Sequence, residues 1–197
     1  MITLHRIKLI TKPFWIPIIT GIYLLLTDYI DPLVITALGF GYIGDLLLMR
    51  SKKSWFVAGA ISFIIGHIFY IAVFLVDAGG ISVFSRQPAA CAIFLLPYII
   101  FALWLFKYLR VNVTSMYYAA LAYLSILLLM SYAALLRVWT AGSLSFILTL
   151  AGSLLFIISD SLISIRKLKR KFRGIGTMIV FTYIAAQILI ILGLTAG

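Results

Sequence analysis

The chain has 197 residues, of which 64% are apolar and only 11% are charged. Soluble domains carry roughly 25% charged residues, so this composition excludes an ordinary water-exposed surface and favours a polytopic membrane protein. The net charge of +11 does not indicate nucleic-acid binding, because the Lys and Arg residues lie in short clusters between apolar segments. We expect no nucleic-acid partner, and a basic excess that sets membrane topology and attracts anionic headgroups of membrane lipids.

Long apolar segments follow one another along the chain with short breaks. Most can cross a hydrocarbon core of ~30 Å at about 1.5 Å per residue, and the first is the shortest. The segments are residues 13–27, 32–50, 54–76, 88–109, 115–136, 141–165 and 174–196. The sequence therefore predicts an all-α, polytopic transmembrane bundle of about seven helices, with eight as the alternative, in a single domain over residues 1–197.

The basic residues between these segments are distributed very unequally. Fourteen of the sixteen Lys and Arg fall on one predicted side of the membrane, and only Arg86 and Arg137 fall on the other. That second side also carries Asp28, Asp31 and Asp77. The positive-inside rule then predicts a cytoplasmic N-terminus. We expect a multi-pass integral membrane protein, located in the inner membrane if the source is bacterial.

A glycine motif lies in the second segment, where residues 37–45 read ALGFGYIGD. Its glycines, Gly39, Gly41 and Gly44, match the G-x-G-x-x-G spacing of a dinucleotide-binding turn. The motif lies inside a membrane segment, however, and no acidic residue follows about 20 positions later to hold a ribose. We interpret the glycines as a smooth helix face that lets a neighbouring helix approach closely beside Asp45.

Two carboxyl groups lie inside predicted membrane segments. Asp45 precedes Arg50 by five positions and Asp160 precedes Arg166 by six, which is about 7–9 Å along helices that run in the same direction. Such residues usually face the bundle interior and serve a function, because a carboxylate in hydrocarbon is costly. We expect the two carboxyls to face each other across a shared cavity. The alternative is that each reaches toward its basic loop as a packing device.

Two further pairs of polar side chains share a helix face. His67 and Tyr70 are three residues apart, and Tyr183 and Gln187 are four apart. A lone polar side chain in a membrane helix is often an interhelical hydrogen-bond partner. For His67 and Gln187 that structural role and the lining of a cavity remain equally open.

The remaining polar and sulfur-containing candidates favour structural roles. Tyr123 and Met130 are one heptad apart, which favours packing over chemistry. Ser159 and Ser161 flank Asp160, but no histidine is near in sequence to activate either hydroxyl, so serine-nucleophile chemistry is disfavoured. The single cysteine, Cys91, is interpreted as a small apolar filler.

The inventory of metal-binding residues is small. All five acidic residues are aspartates, and the chain has two histidines and one cysteine. These are too few for a three-histidine zinc site or a carboxylate-bridged di-metal site. We expect no metal and no other cofactor.

The polar positions fall in segments that occur in a recognisable order: GYIGDLLLM (41–49), GHIFYIAVF (66–74), AYLSILLLM (122–130), AGSLLFIISDSLISI (151–165) and TYIAAQILI (182–190). From about residue 32 to 192 the chain resembles the YhhN family of membrane proteins, whose characterised members are lysoplasmalogenases. Members of that family are described with eight helices, whereas the charge alternation here favours seven. The basic loop IRKLKRKFR after Asp160 also differs from the shorter, more mixed linker of the family.

The resemblance implies catalytic roles for Asp45 and Asp160. It implies that the substrate-binding positions are His67, Tyr70, Tyr123, Ser159, Tyr183 and Gln187. The implied substrate is a lysophospholipid with a vinyl ether at sn-1, a lysoplasmenylethanolamine or lysoplasmenylcholine. Its hydrolysis yields a fatty aldehyde and glycerophosphoethanolamine or glycerophosphocholine.

This implied reaction fits a pair of carboxyls. Protonation of the alkene gives an oxocarbenium-like cation, to which water adds. The reaction needs one carboxylic acid and one carboxylate, as in glycosidases, and it needs no metal.

Two other functions remain open from the sequence. A non-catalytic carrier or binder of a lipid or small molecule would also place Asp and His inside the membrane. The chain lacks the internal repeat and the paired Gly or Pro helix breaks that are typical of transporters. A metal-dependent amidase of the alkaline-ceramidase type is opposed by the shortage of histidines. The sequence leaves the oligomeric state open.

Overall fold

A computed structural model of the chain describes residues 2–50, 52–110, 115–169 and 172–196. Over these ranges the structure contains eight α-helices and no strand, so the predicted all-α class is confirmed. The helices are α1 (Ile2–Leu26), α2 (Pro32–Leu48), α3 (Lys53–Asp77), α4 (Ser82–Arg86), α5 (Pro88–Leu109), α6 (Ser115–Leu136), α7 (Ser143–Leu168) and α8 (Ile175–Thr195). A 3₁₀ turn, Arg137–Trp139, follows α6 directly. Arg170 and Lys171, counted above in the last basic loop, lie outside the described residues.

Helices α5 and α6 coincide with the predicted segments 88–109 and 115–136, and α2, α3, α7 and α8 end within three residues of theirs. The predicted start of the first helix, residue 13, is wrong, because α1 begins at Ile2. Hydropathy marks the part of a helix that suits hydrocarbon, whereas the helical backbone continues into the polar flank. The short helix α4 was not predicted, since five residues are too few to show a helical period.

Among the residues that the structure describes, five helices are long and apolar enough to cross a membrane. They are Ser54–Asp77, Pro88–Leu109, Tyr117–Trp139, Ser143–Leu168 and Ile175–Thr195. Two shorter apolar stretches, Phe14–Leu26 within α1 and Pro32–Leu48, which is α2, correspond to the first two predicted crossings. Their membrane crossing, and with it the count of seven, stays a prediction, as does the cytoplasmic N-terminus.

The chain divides into two compact units, residues 1–72 and 73–197, with the boundary inside α3. In the first unit α1 packs on α2, and in the second unit α7 packs along α8 and on α6. The prediction of a single domain stays a prediction.

The start of α2 is fixed by a helix cap. Asp31 Oδ1 accepts a hydrogen bond from the Leu33 amide at 2.8 Å, and Pro32 occupies the first helical position. The Asp31 amide in turn donates to the buried Tyr23 hydroxyl of α1 at 2.9 Å. A capping Asp and an N-terminal Pro both favour helix initiation. These contacts set the register of α2, and therefore the position of Asp45 in it.

In the second unit, hydroxyl groups join three helices. The Tyr98 hydroxyl of α5 lies 3.1 Å from Ser131 Oγ of α6, which lies 2.8 Å from Ser153 Oγ of α7. The Ser153 hydroxyl donates to the Leu150 carbonyl at 2.7 Å. Such interhelical hydrogen bonds contribute about 0.6 kcal/mol each on average in membrane proteins. They hold α7 in place two turns before Asp160.

Candidate active site

In the first unit, the Asp45 side chain is buried close to the end of α2. The residue is 1% exposed and lies three positions before Leu48, the last residue of the helix. Nearby, Ser62 Oγ of α3 donates to the Phe40 carbonyl of α2 at 2.6 Å. This contact joins α3 to α2 on the segment that carries the aspartate.

The predicted close approach at the glycines is confirmed for Gly44. A Cβ atom added to this residue would lie 2.7 Å from the Phe63 ring of α3. From the other side, a Cβ on Gly66 of α3 would lie 3.1 Å from the Ala37 carbonyl oxygen of α2. Gly39 does not take part, because a Cβ there would meet nothing within 4 Å. Two of the three motif glycines, Gly41 and Gly44, are buried.

His67 and Tyr70 are both buried on α3. The His67 ring stacks on Phe63, with 6.4 Å between ring centroids and an interplanar angle of 25°. Phe63 is the same ring that fills the space beside Gly44. A continuous contact therefore runs from α2 through Phe63 to His67, and the two predicted α3 residues lie in the interior with Asp45.

In the second unit, Asp160 lies eight positions before Leu168, the last residue of α7, and is 4% exposed. Its Oδ2 atom accepts a hydrogen bond from the Tyr123 hydroxyl of α6 at 2.5 Å. The Tyr123 side chain therefore does more than pack, because its hydroxyl is a direct hydrogen-bond partner of the carboxyl. Met130, one heptad later, is fully buried.

Tyr183 and Gln187 are buried on α8. The Tyr183 ring meets Phe156 of α7 edge to face, at 5.6 Å and 81°. The two helices approach closely just beyond this contact, since a Cβ on Gly152 would lie 2.8 Å from the Ala186 carbonyl oxygen. Small residues at such contacts are typical of membrane helix pairs.

A family model for YhhN proteins matches residues 7–194. The chain belongs to the YhhN family. This family includes lysoplasmalogenases. With its five long apolar helices, this YhhN protein is a multi-pass integral membrane protein. None of the curated proteins and none of the solved structures matches the chain.

The two serines beside Asp160 differ in their hydrogen bonding. Ser159 Oγ donates to the Ile179 carbonyl of α8 at 3.2 Å. Ser161 Oγ is buried and has no hydrogen-bond partner among the residues that the structure describes. Ser159, which the resemblance assigned to the substrate site, therefore also ties α7 to α8.

This difference predicts that alanine substitutions at Ser159 and Ser161 affect stability differently. We expect Ser159→Ala to destabilise this YhhN protein by about 1 kcal/mol, because it leaves a buried carbonyl with one hydrogen bond fewer. Ser161→Ala is expected to be neutral or stabilising, because it removes a buried hydroxyl that has no partner. Thermal unfolding of the two variants in the same detergent checks the order. Equal destabilisation by both would contradict it.

A buried cation in the second unit was not predicted. From the sequence, Arg137 is expected in a loop between two membrane segments, yet the residue is only 3% exposed. One guanidinium nitrogen, Nη2, lies 3.2 Å from Asp77 Oδ2 at the end of α3 and donates to Ser145 Oγ at 3.0 Å. The other, Nη1, donates to Thr149 Oγ1. The guanidinium therefore joins α7 to the end of α3.

The same network reaches α8. Ser145 Oγ donates to the Gly193 carbonyl at 2.6 Å, and Thr149 Oγ1 donates to the Ser145 carbonyl at 2.8 Å. A Cβ on Gly193 would lie 2.7 Å from the Thr149 backbone nitrogen. The only signal in the sequence is the placement of Ser145 and Thr149 four residues apart, which puts both hydroxyls on one face of α7.

Among the described residues, no three His, Cys, Asp or Glu side chains are grouped as metal ligands would be. Apart from the Arg137 guanidinium, the buried polar groups described above are carboxyl, imidazole, phenol, amide and hydroxyl groups. Such a set can donate and accept protons and can position water. It suits acid–base catalysis at an uncharged functional group of a substrate.

Proposed function

We propose that this YhhN protein hydrolyses the sn-1 vinyl ether of lysoplasmalogens. Membership of a family that includes lysoplasmalogenases supports the reaction class. The observation that carries the proposal is the Asp160 carboxyl, which is buried in an apolar helix and oriented by the Tyr123 hydroxyl. A carboxyl held in this way inside a membrane helix is expected to have a function.

The reaction begins with transfer of a proton to the β-carbon of the vinyl ether. The alkene electrons form the new C–H bond, and the α-carbon and the ether oxygen share the resulting positive charge. Water then adds to the α-carbon and loses a proton, which gives a hemiacetal. The C–O bond to glycerol breaks as the glycerol oxygen takes up a proton and the hemiacetal hydroxyl loses one to form the C=O bond. The products are a fatty aldehyde and glycerophosphoethanolamine or glycerophosphocholine, and the net change is the addition of one water.

Asp45 and Asp160 supply the two carboxyl functions in this proposal. One carboxyl donates the proton to the alkene, and the other, ionised, stabilises the cation and positions the water. Glycosidases use two carboxyls in a comparable way for their oxocarbenium-like transition state. Tyr123 is a positioning residue, because its hydrogen bond to Oδ2 fixes the orientation of the Asp160 carboxyl.

Four further buried polar residues bind the substrate in this proposal. His67 and Tyr70 lie on α3, and Tyr183 and Gln187 on α8. Each pair presents polar groups on one helix face, where hydroxyls and ether oxygens of a lysolipid are suitable partners. A single alkenyl chain fits between packed helices better than two chains. We therefore expect selectivity for the lysoplasmalogen over the intact plasmalogen.

The proposal is tested by fatty aldehyde release from three lipids, each with and without EDTA. We expect turnover of lysoplasmalogen, unchanged by the chelator, since acid catalysis by carboxyls requires no metal. The saturated alkyl-ether analogue should bind without turnover, because it has no alkene to protonate. The intact plasmalogen should be a poor substrate because it carries a second chain.

Three outcomes would count against the proposal. Loss of activity in EDTA would favour a metal-dependent hydrolase, and equal cleavage of the alkyl ether would contradict alkene protonation. Binding of all three lipids without turnover, by protein that elutes as a single folded species, would favour a lipid carrier.

A further inference from the structure

Basic residues lie at the end of α5, at the end of α7 and in the loop that leads to α8. Lys169, which follows α7, places its Nζ atom 3.6 Å from the centroid of the Tyr108 ring near the end of α5. Arg166 in the last turn of α7 lies beside the start of α8, with Nη1 3.5 Å from the position of a Cβ added to Gly176. We call this region the α5–α7–α8 basic cluster, formed by Lys107, Arg110, Arg166, Lys169 and Arg173.

An exposed aromatic stack lies beside this cluster. The Trp104 ring stacks on Tyr108 at 5.6 Å and 11°, and Trp104 is 58% exposed. Lys107 and Arg110 at the end of α5 are exposed as well. Trp and Tyr are enriched where membrane helices reach the headgroups, because their rings are apolar and their N–H or O–H groups are polar. The stack therefore places the cluster at headgroup level.

The cluster has little negative charge nearby in the chain. Between residues 78 and 197 the only acidic residue is Asp160, which is buried in α7 and hydrogen-bonded to Tyr123. The loop that supplies Arg166, Lys169 and Arg173 contains no acidic residue at all. The cluster residues Lys107, Arg110, Lys169 and Arg173 are also exposed, so a headgroup can reach them.

We propose that the α5–α7–α8 basic cluster binds anionic phospholipids. Lys and Arg groups near a membrane attract anionic headgroups, whose phosphate oxygens accept hydrogen bonds from ammonium and guanidinium groups. The lysoplasmalogens of the proposed reaction carry ethanolamine or choline and are zwitterionic. The lipid bound here is therefore a second lipid, distinct from the substrate.

The test uses the full chain in lipid nanodiscs of phosphatidylcholine that contain a small fraction of one lipid with brominated acyl chains. Brominated chains quench tryptophan at short range, and Trp104 lies beside the cluster. We expect brominated phosphatidylglycerol to quench more strongly than brominated phosphatidylcholine at equal mole fraction. The preference should weaken as salt is raised, because the interaction is electrostatic and partly exposed.

Arg166→Gln with Lys169→Gln should lower this preference by about fivefold or more, since each cation near an anionic surface contributes about 1 kcal/mol. The matched control is Arg50→Gln with Lys52→Gln, which removes the same charge from another basic loop. That loop also has a cation over an aromatic ring, Arg50 over Trp55 at 4.6 Å. The control should largely keep the preference.

Equal quenching by the two brominated lipids in the unmodified chain would overturn the proposal. An equal loss of the preference for phosphatidylglycerol in the two double variants would also overturn it. Such a result would show that the preference depends only on the net charge of the protein. If the Arg166 and Lys169 variant does not fold, the salt titration of the unmodified chain decides instead, and a salt-independent preference would overturn the proposal. No turnover is measured, so the result does not depend on hydrolysis.

Discussion

Replacing either Asp45 or Asp160 by asparagine is expected to abolish vinyl-ether hydrolysis while the fold is kept. A positioned general acid or base contributes about 10²- to 10⁴-fold in rate, and a primary amide can neither donate the proton nor stabilise the cation as a carboxylate does. Both side chains are almost fully buried. A neutral amide is less costly to bury than a carboxylate, so unfolding should occur at the same temperature or higher. Initial rates of aldehyde release and thermal unfolding check the two parts.

The matched control is Asp31→Asn, which makes the same chemical change at the cap of α2. Asn caps a helix about as well as Asp, so activity and stability should both remain. If Asp45→Asn or Asp160→Asn keeps activity within about tenfold, a change in barrier of only ~1.4 kcal/mol, that carboxyl is structural and the mechanism fails.

The largest effect on stability is expected from Asp77→Asn. It removes the carboxylate that faces the buried Arg137 guanidinium at 3.2 Å. Removal of one partner from a buried ion pair costs about 3–5 kcal/mol. The Asp77 side chain is 39% exposed, so the loss here should be smaller, about 2–3 kcal/mol. Unfolding by heat or denaturant in detergent measures this loss of stability.

The control variants are Arg137→Met and the double variant with Asp77→Asn. Arg137→Met should cost less than Asp77→Asn, because the partly exposed Asp77 can turn to water. The hydroxyls of Ser145 and Thr149 also keep their bonds to backbone carbonyls. Adding Arg137→Met to Asp77→Asn should therefore restore part of the lost stability. A double variant less stable than Asp77→Asn alone would show that Arg137 stabilises the fold without its carboxylate.

The positions of the helices could be predicted because the start and length of each apolar segment can be read from the sequence alone. Helix α5 begins and ends as its hydropathy indicates. The predicted start of the first helix failed, since the backbone of α1 continues through its basic flank. The close approach at Gly44 could also be predicted, because only small residues let membrane helices approach this closely.

The partners of individual side chains could not be predicted in the same way. Tyr123 and Asp160 are 37 positions apart, and their hydrogen bond depends on how α6 packs against α7. The burial of Arg137 depends on the 3₁₀ turn that follows α6 and on Asp77 from a different helix. Charge alternation along the chain gives no information on such packing. The catalytic roles of Asp45 and Asp160 remain predictions.

The most direct test of the account is the isotopic composition of the aldehyde released from lysoplasmalogen in D₂O with EDTA present. Protonation of the alkene β-carbon transfers one solvent-derived hydron to carbon 2 of the aldehyde. The account predicts an aldehyde with one deuterium at that carbon, while an aldehyde standard incubated with the protein in the same buffer gains none. Release of unlabelled aldehyde, or no release of aldehyde, would contradict it.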